Sequence, residues 1–450
     1  MRGYASSAWI LIHRILPPIL FLSLWMIPDQ LFAQSDQGLG TVYAEEFSPL
    51  PIAVPRLVPE GSERLDEPLL SRVLAEDLRL SGFFALPVEA SFVDEVQKLD
   101  VSDDTIHYAD WHRLGLFYVV KGTYHTDGDD LIVDIRTYDV ISGTVIFGTR
   151  YTHKKDQARN LAHRASNDII QRITTFPGVS HTRILFVGET TGRRGMQVKE
   201  VYSIDADGQN LRRLTQDKSL AATPAWGANA TEIYYTTYKD FNPDLAGMYL
   251  DGTHDWFISR RPGFNLSPAW SQKKKRVALT LTKDGNSELY LMDREGQSLR
   301  RLTYHRAIDS SPHWSPSGDQ IAFTSDRGGS PQIHITDDSG VNIRQLTRQG
   351  TYNDGARWSP LGDKIAFTSR VDGVFQIFTI DPSGDNLHQL TSSDSGAEDP
   401  TWAPNGYVIA YTSNRGGKKQ ISTIFADGRH IAHLKTPFNS SSPDWSPMLP

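Results

Sequence analysis

The chain has 450 residues and no cysteine, with 46 Lys and Arg against 53 Asp and Glu for a net charge of −7. These figures exclude disulfides and thiol chemistry, and they argue against a nucleic-acid binder, which needs a basic face. With 39% hydrophobic and 22% charged residues the composition is that of an ordinary soluble chain, long enough for two or more domains.

Arg2 and Arg14 precede an apolar run from Ile15 to Ile27, and Leu31-Phe32-Ala33 puts a small residue before Gln34. Residues 1–33 therefore read as a secretory signal cleaved after Ala33. The run is shorter than the ~20 residues a membrane span needs, and no later stretch is long and apolar enough to cross. A cysteine-free exported chain suits the bacterial periplasm.

Residues 34–173 carry mixed periodicity. A β-like run, Ile52 to Val58, precedes Asp66 to Leu80, where Leu69, Leu70, Val73, Leu74 and Leu78 share one helical face and Ser81-Gly82 ends it. Phe117 to Tyr124, Leu131 to Val140 and Thr144 to Thr152 alternate as strands, with turns at Asp127-Gly128 and Ser142-Gly143. Helical period returns from Gln157 to Ile173 through Leu161, Ala165 and Ile169. The combination predicts a compact α+β domain. Residues 174–181, with Pro177-Gly178, read as a linker.

From residue 182 to 450 the chain repeats. Trp226, Trp270, Trp314, Trp358, Trp402 and Trp445 stand 44, 44, 44, 44 and 43 residues apart, and the first five are each followed by short β-runs cut by Gly, Pro, Asp and Ser. One frame reads Ser310-Ser-Pro-His-Trp-Ser-Pro-Ser-Gly-Asp, then QIAFTS at 320–325, QIHIT at 332–336 and IRQLT at 343–347. A period of about 44 residues with four strands per repeat predicts a six-bladed all-β propeller of four-stranded blades. Three strand-like runs, Arg183 to Val187, Val201 to Ile204 and Leu211 to Thr215, lack a preceding tryptophan, while the segment around Trp445 has no strands behind it. Together they make one blade, so the ring is expected to close by pairing them, which removes open edges. An aromatic recurring once per repeat is a packing wedge rather than a sugar platform.

The chemistry is sparse. A peptidase-related propeller needs a Gly-x-Ser-x-Gly elbow, which is absent. His305, His313, His334 and His388 hold different places in their repeats and read as surface or turn residues rather than a metal set. Asp205-Ala206-Asp207-Gly208 lacks a Glu-terminated calcium loop, and Asp-x-x-Gly recurs at 293–296, 337–340 and 381–384, so it reads as a turn. No catalytic residue, metal or cofactor is expected. Binding is left, placed on loops that enter the innermost strands four and five residues before each tryptophan and converge on one channel mouth. The set is Phe264, Asn265, Asp309, Ser310, Asn353, Asp354, Glu398 and Ser441, with Tyr352 adjacent. Arg327 and Arg415 are expected to look outward at hairpin tips in a structural role.

Three segments are specific. Ala75-Glu76-Asp77-Leu78-Arg79 runs into Ser81-Gly82-Phe83-Phe84; Trp111-x-x-Leu114-Gly115 precedes Val119-Val120-Lys121-Gly122; and Ala162 to Asp168 leads through the linker to Thr182-Arg183-Ile184. With the Pro-x-Trp-Ser-Pro and Ile-Ala-Phe-Thr-Ser blade motifs, they make the chain resemble the TolB family of the Tol-Pal envelope system over essentially its whole length. The resemblance implies a monomeric, non-enzymatic periplasmic adaptor. Its propeller would engage the lipoprotein Pal through the channel-mouth set, with other envelope and division proteins as further partners. The mature N-terminus, Gln34, Ser35, Asp36, Thr41, Val42 and Tyr43, would engage TolA in support of outer-membrane integrity and constriction at division. Gln34 to Gly40 departs from the family's short β-rich start. The alternative reading is a peptidase-related or carbohydrate-binding periplasmic propeller.

Overall fold

The computed structural model describes residues 48–60, 67–86, 106–192 and 195–449. The expected signal and the segment holding Gln34, Ser35, Asp36, Thr41, Val42 and Tyr43 lie outside them.

The first body is built on a mixed sheet. Strand β1 (Leu50–Ala53) pairs in parallel with β3 (Phe84–Ala85) and β4 (Tyr118–Asp127), and β2 (Val58–Pro59) also lies parallel on β4. β4, β5 (Asp130–Asp139) and β6 (Thr144–Lys154) form an antiparallel meander. Helices α1 (Glu67–Leu80) and α3 (Ala158–Thr174) cover one face, burying Leu70, Leu74, Leu78, Leu161, Ala165 and Ile169 against Val120, Leu131, Val133 and Ile135. Those residues recur at the spacing of one helical stripe and at alternate strand positions, so the sequence periods and the core agree. The short helix α2 (Tyr108–Arg113) plugs the opposite side with Trp111, packed on Ala53, Val119 and Tyr138. α3 stops where Thr175 takes a left-handed φ of 66° before Phe176-Pro177.

Six four-stranded sheets follow, each running outward from its tryptophan strand. In the Trp314 blade the strands are Asp309–Trp314, Gln320–Ser325, Gln332–Asp337 and Arg344–Gln345, in register Trp314 to Ile321, Ala322 to Ile335 and His334 to Gln345. A Gln or Glu and a Thr of the repeat tie the outer strands of four blades, as Glu200 with Thr215 and Glu288 with Thr303, and as Gln with Thr in the Trp314 and Trp358 blades. Thr347 accepts the Ile333 N–H at 2.9 Å and donates to Gln332 at 2.7 Å, and Thr391 does the same for Ile377 and Gln376. The Asp-x-x-Gly turn needs its glycine: Gly340 sits at φ +81°, and a Cβ there would lie 2.1 Å from the Leu302 carbonyl of the preceding blade.

The ring closes as expected. Asn439–Trp445 pairs with Arg183–Thr191, which continues to Gln197–Asp205 and Arg212–Arg213. The tryptophan strands pack edge to edge around a central channel, and the indoles staple neighbours. Trp226, Trp314 and Trp402 donate Nε1–H to the carbonyls of Asp444, Ala269 and Arg357, each one blade back, at 3.0, 3.2 and 3.0 Å. The other three bond differently: half-buried Trp270 donates to Gln272, Trp358 to the Gly362 carbonyl of its own blade, and Trp445 to the Thr182 hydroxyl.

Candidate functional site: the channel and its mouth

Every tryptophan strand carries the same defect. Its pairing slips between the fourth and first residue before the tryptophan, and the residue three before it adopts a left-handed φ. These residues are Thr223, Ser267, Ser311, Gly355, Asp399 and Ser442, with φ between 45° and 69°. A bulge of this kind turns two successive side chains toward one side, so the positions three and four before tryptophan both face the channel, half-buried. Cross-blade bonds hold the bulges: the N–H groups of Asp399 and Ser442 donate to Thr368 and Thr412 of the preceding blades at 3.1 and 2.9 Å.

The bulge displaces the expected mouth by one residue. Asn265, Asp309 and Asn353 are not loop residues but the buried first residues of their strands. Each is spent on structure. Asn265 bonds the carbonyls of Pro243, Arg261 and Gly263; Asn353 bonds Gln332 and the Gln349 carbonyl; Asp309 receives both bonds from Arg327 at 2.9 and 3.0 Å. Arg327 accordingly points inward over Phe323 rather than out from its hairpin tip, while Arg415 is exposed. Ser310, Asp354, Glu398 and Ser441 are half-buried on the channel wall. Asp354 accepts a 2.6 Å bond from Thr324, and Glu398 pairs with Lys419.

The outermost ring lies one position earlier, at the exposed Leu220, Phe264 and Ile308 and the half-buried Tyr352, each holding the turn after the second strand through a backbone bond. Over the Trp226, Trp270 and Trp314 blades this rim is apolar. Phe264 is 53% exposed, Tyr304 73% and Phe241, a non-glycine at φ 70°, 97%. The opposite half is polar, with Tyr352, Asp354, Glu398, Asp399 and Lys419. There burial and then the neighbouring Asp354 push the Tyr352 hydroxyl up to about 12, and burial with Glu398 raises the Asp399 carboxyl. Phe264 was legible in sequence. Phe241, Tyr304 and Ile308 were not singled out, although an aromatic in a turn otherwise made of Asp, Asn, Pro and Lys is a signal that could have found Phe241.

At the tryptophan end the channel widens into a cavity of about 750 Å³ lined by all six residues that precede the tryptophans. His313, expected at the surface or in a turn, is one of them. Its Nδ1 accepts the Trp358 N–H at 3.0 Å, and burial, then Arg357, lower its pKa to about 3, so the ring stays neutral. His334 is also interior, against Phe323, whereas His305 and His388 are exposed.

The turn at Asp205–Gly208 does more than reverse the chain. Asp207 pairs with Arg159 of α3 and lies 3.9 Å from His163 Nε2, while His163 Nδ1 and the Ser166 hydroxyl bind Asp77 of α1 at 2.7 and 2.6 Å. Two carboxylates and an imidazole could hold a cation, but the Arg159 guanidinium already supplies the positive charge at Asp207, and the arrangement reads as a junction between the sheet body and the propeller.

Two family models match the chain, one described as the TolB beta propeller domain over residues 170–449 and one described as the TolB amino-terminal domain over residues 41–146. The Tol-Pal system protein TolB of Syntrophotalea carbinolica is 35% identical over 164 residues, 36% of this chain and 37% of that protein. That of Desulfosudis oleivorans is 31% identical over 248 residues, 54% of each. The chain thus spans about half the length of the curated relatives it matches, or less. Among solved structures, TolB from Acinetobacter baumannii superposes with a TM-score of 0.78 at 26% identity, covering 89% of this chain and 97% of that one.

Proposed function

This chain belongs to the TolB family, and from that premise we propose that it is a non-enzymatic periplasmic adaptor of the Tol-Pal system, gripping Pal with its propeller and reaching TolA with its N-terminal segment. In this role it serves outer-membrane integrity and constriction at division. No helix among the described residues is long and apolar enough to cross a membrane.

The observation that carries the reading is the two-sided rim of the channel mouth. Leu220, Phe241, Phe264, Tyr304 and Ile308 form an exposed apolar crescent, and Tyr352, Asp354, Glu398 and Lys419 a polar one. A buried apolar anchor flanked by a charged rim is how protein interfaces divide affinity from specificity. Phe241 supports it further, because a Phe 97% exposed and in a left-handed conformation buries almost no side-chain area in the fold itself. The buried Asn265, Asp309 and Asn353 act behind the surface, and Ser310 and Ser441 lie on the wall below it. Gln34, Ser35, Asp36, Thr41, Val42 and Tyr43 remain the segment proposed for TolA.

The double variant Phe241→Asp with Phe264→Asp tests the Pal reading. Exposed changes leave stability within about 0.5 kcal/mol, while loss of two anchors weakens an interface by ~2 kcal/mol or more. Pal retention on a pull-down is expected to fail with melting unchanged; wild-type affinity for Pal would place the interface elsewhere.

A further inference from the structure

The six residues preceding the tryptophans divide the wall of the 750 Å³ cavity into two unlike arcs. Three of the last four in chain order, His313, Arg357 and Asp444, are titratable, and Thr401 lies between the last two. The other two residues, Ala225 and Ala269, are methyls, beside the half-buried face of Trp270.

The polar arc has capacity left over. His313 uses Nδ1 as acceptor for Trp358, so its neutral ring carries the proton on Nε2. Arg357 makes one bond, from a guanidinium NH to the Ala356 carbonyl at 3.1 Å, and no ion pair among the described residues. Asp444 Oδ2 accepts the Trp226 N–H at 2.8 Å, and Oδ1 accepts a single long bond, 3.4 Å, from the Thr401 hydroxyl, which itself accepts the Trp445 N–H. A guanidinium with four unused donors and a carboxylate whose Oδ1 is held by one long bond therefore face one cavity without forming an ion pair with each other among the described residues.

Single charges fit poorly there. An anion at Arg357 feels Asp444, and a cation at Asp444 feels Arg357 together with Lys273 at the rim. A molecule carrying both charges satisfies both, and its aliphatic part is received by Ala225, Ala269 and Trp270. Pockets of 300–1,000 Å³ are the usual size for a small ligand with a few convergent polar groups.

We propose that the tryptophan end of the channel binds a small zwitterion of the amino-acid or dipeptide class, its carboxylate on Arg357 and His313 and its ammonium on Asp444. The site is at the opposite end of the tryptophan strands from the rim argued to hold Pal, and the inference stands or falls independently of that reading.

Calorimetric titration of the full chain tests it, with L-leucine, Ala-Leu, acetate and ethylamine as separate ligands. Leucine or Ala-Leu is expected to bind at least about tenfold more tightly than either single-charge compound, and the tighter of the two identifies the class. Arg357→Gln should lose at least about tenfold for the zwitterion, and Asp444→Asn should lose as much. The inference is overturned if neither zwitterion binds, if acetate or ethylamine binds equally well, or if folded variants bind as the wild type does. Should either variant fail to fold, the ligand series on the wild-type protein decides alone.

Discussion

Asp444 shows how a single carboxyl can cost stability while closing a ring. Burial in the channel raises its pKa to about 6, against the lowering effect of Arg357 and of the Trp226 N–H. A carboxyl raised above its ordinary 3.8 favours the folded state fully below about pH 4, and that contribution is lost as pH rises through about 6. Asp444→Asn keeps an oxygen for the Trp226 N–H and removes the charge. Since the side chain is half-buried rather than fully enclosed, we expect the variant to be more stable by about 1–2 kcal/mol at pH 7.5. Urea melts should show this gap closing below pH 4; a variant less stable at pH 7.5 would mean that the ionised form is needed.

At the scale of elements, the turns of the repeat are not interchangeable ornaments on a common sheet. In the Trp314 blade the hairpin arginine folds back onto the first residue of the inner strand, binding Asp309 through two bonds. Arg327→Glu would set two carboxylates together at a buried position, and a loss of ~2–4 kcal/mol is expected, checked by chemical denaturation. The closing strand Asn439–Trp445 is the other sensitive element. It supplies the inner strand of a blade whose other three strands come from residues 183–213, and the Trp445 indole reaches Thr182 at 2.8 Å. Trp445→Ala opens a cavity at that seam and should cost ~3–5 kcal/mol across the whole propeller. An unchanged thermal midpoint would show that the seam contributes little.

For the whole molecule the decisive contacts are those that join the sheet body to the propeller. Tyr407 of the Trp402 blade packs at 5.7 Å against Phe83 and 4.4 Å against Phe176. Gly82, at φ +77°, lies so close to Phe425 that a Cβ would fall 1.9 Å from its ring. Beside this apolar contact runs the buried chain Asp77, His163, Asp207 and Arg159. Removing one member of a buried charge network leaves its partners desolvated and unpaired. Asp207→Ala should therefore loosen the junction, read as faster proteolysis within residues 174–181, while the propeller melts within about 1 kcal/mol of wild type because Asp207 is in a turn. Equal proteolysis rates would mean that Tyr407 and Phe425 hold the junction without help.

The sequence by itself determined the repeat, the number of blades, the closure by Trp445 and the mixed sheet and helices before them. Those features are written in local periods: one tryptophan every 44 residues, alternate apolar positions in strands, and the stripe Leu161, Ala165, Ile169 in α3. It also placed Phe264 and Tyr352 near the channel mouth. The side of the strand on which Asp309 or Asn353 lies was decided only in three dimensions. The bulge three residues before each tryptophan breaks the alternation, and it does so at Thr, Ser or Asp as readily as at Gly355, so composition does not announce it. Arg327, His313 and Asp207 escaped for a related reason. Their partners Asp309, Trp358 and Arg159 stand 18 to 48 residues away in the chain, and the direction a polar side chain takes follows from which unpaired group the tertiary fold brings within a bond length of it.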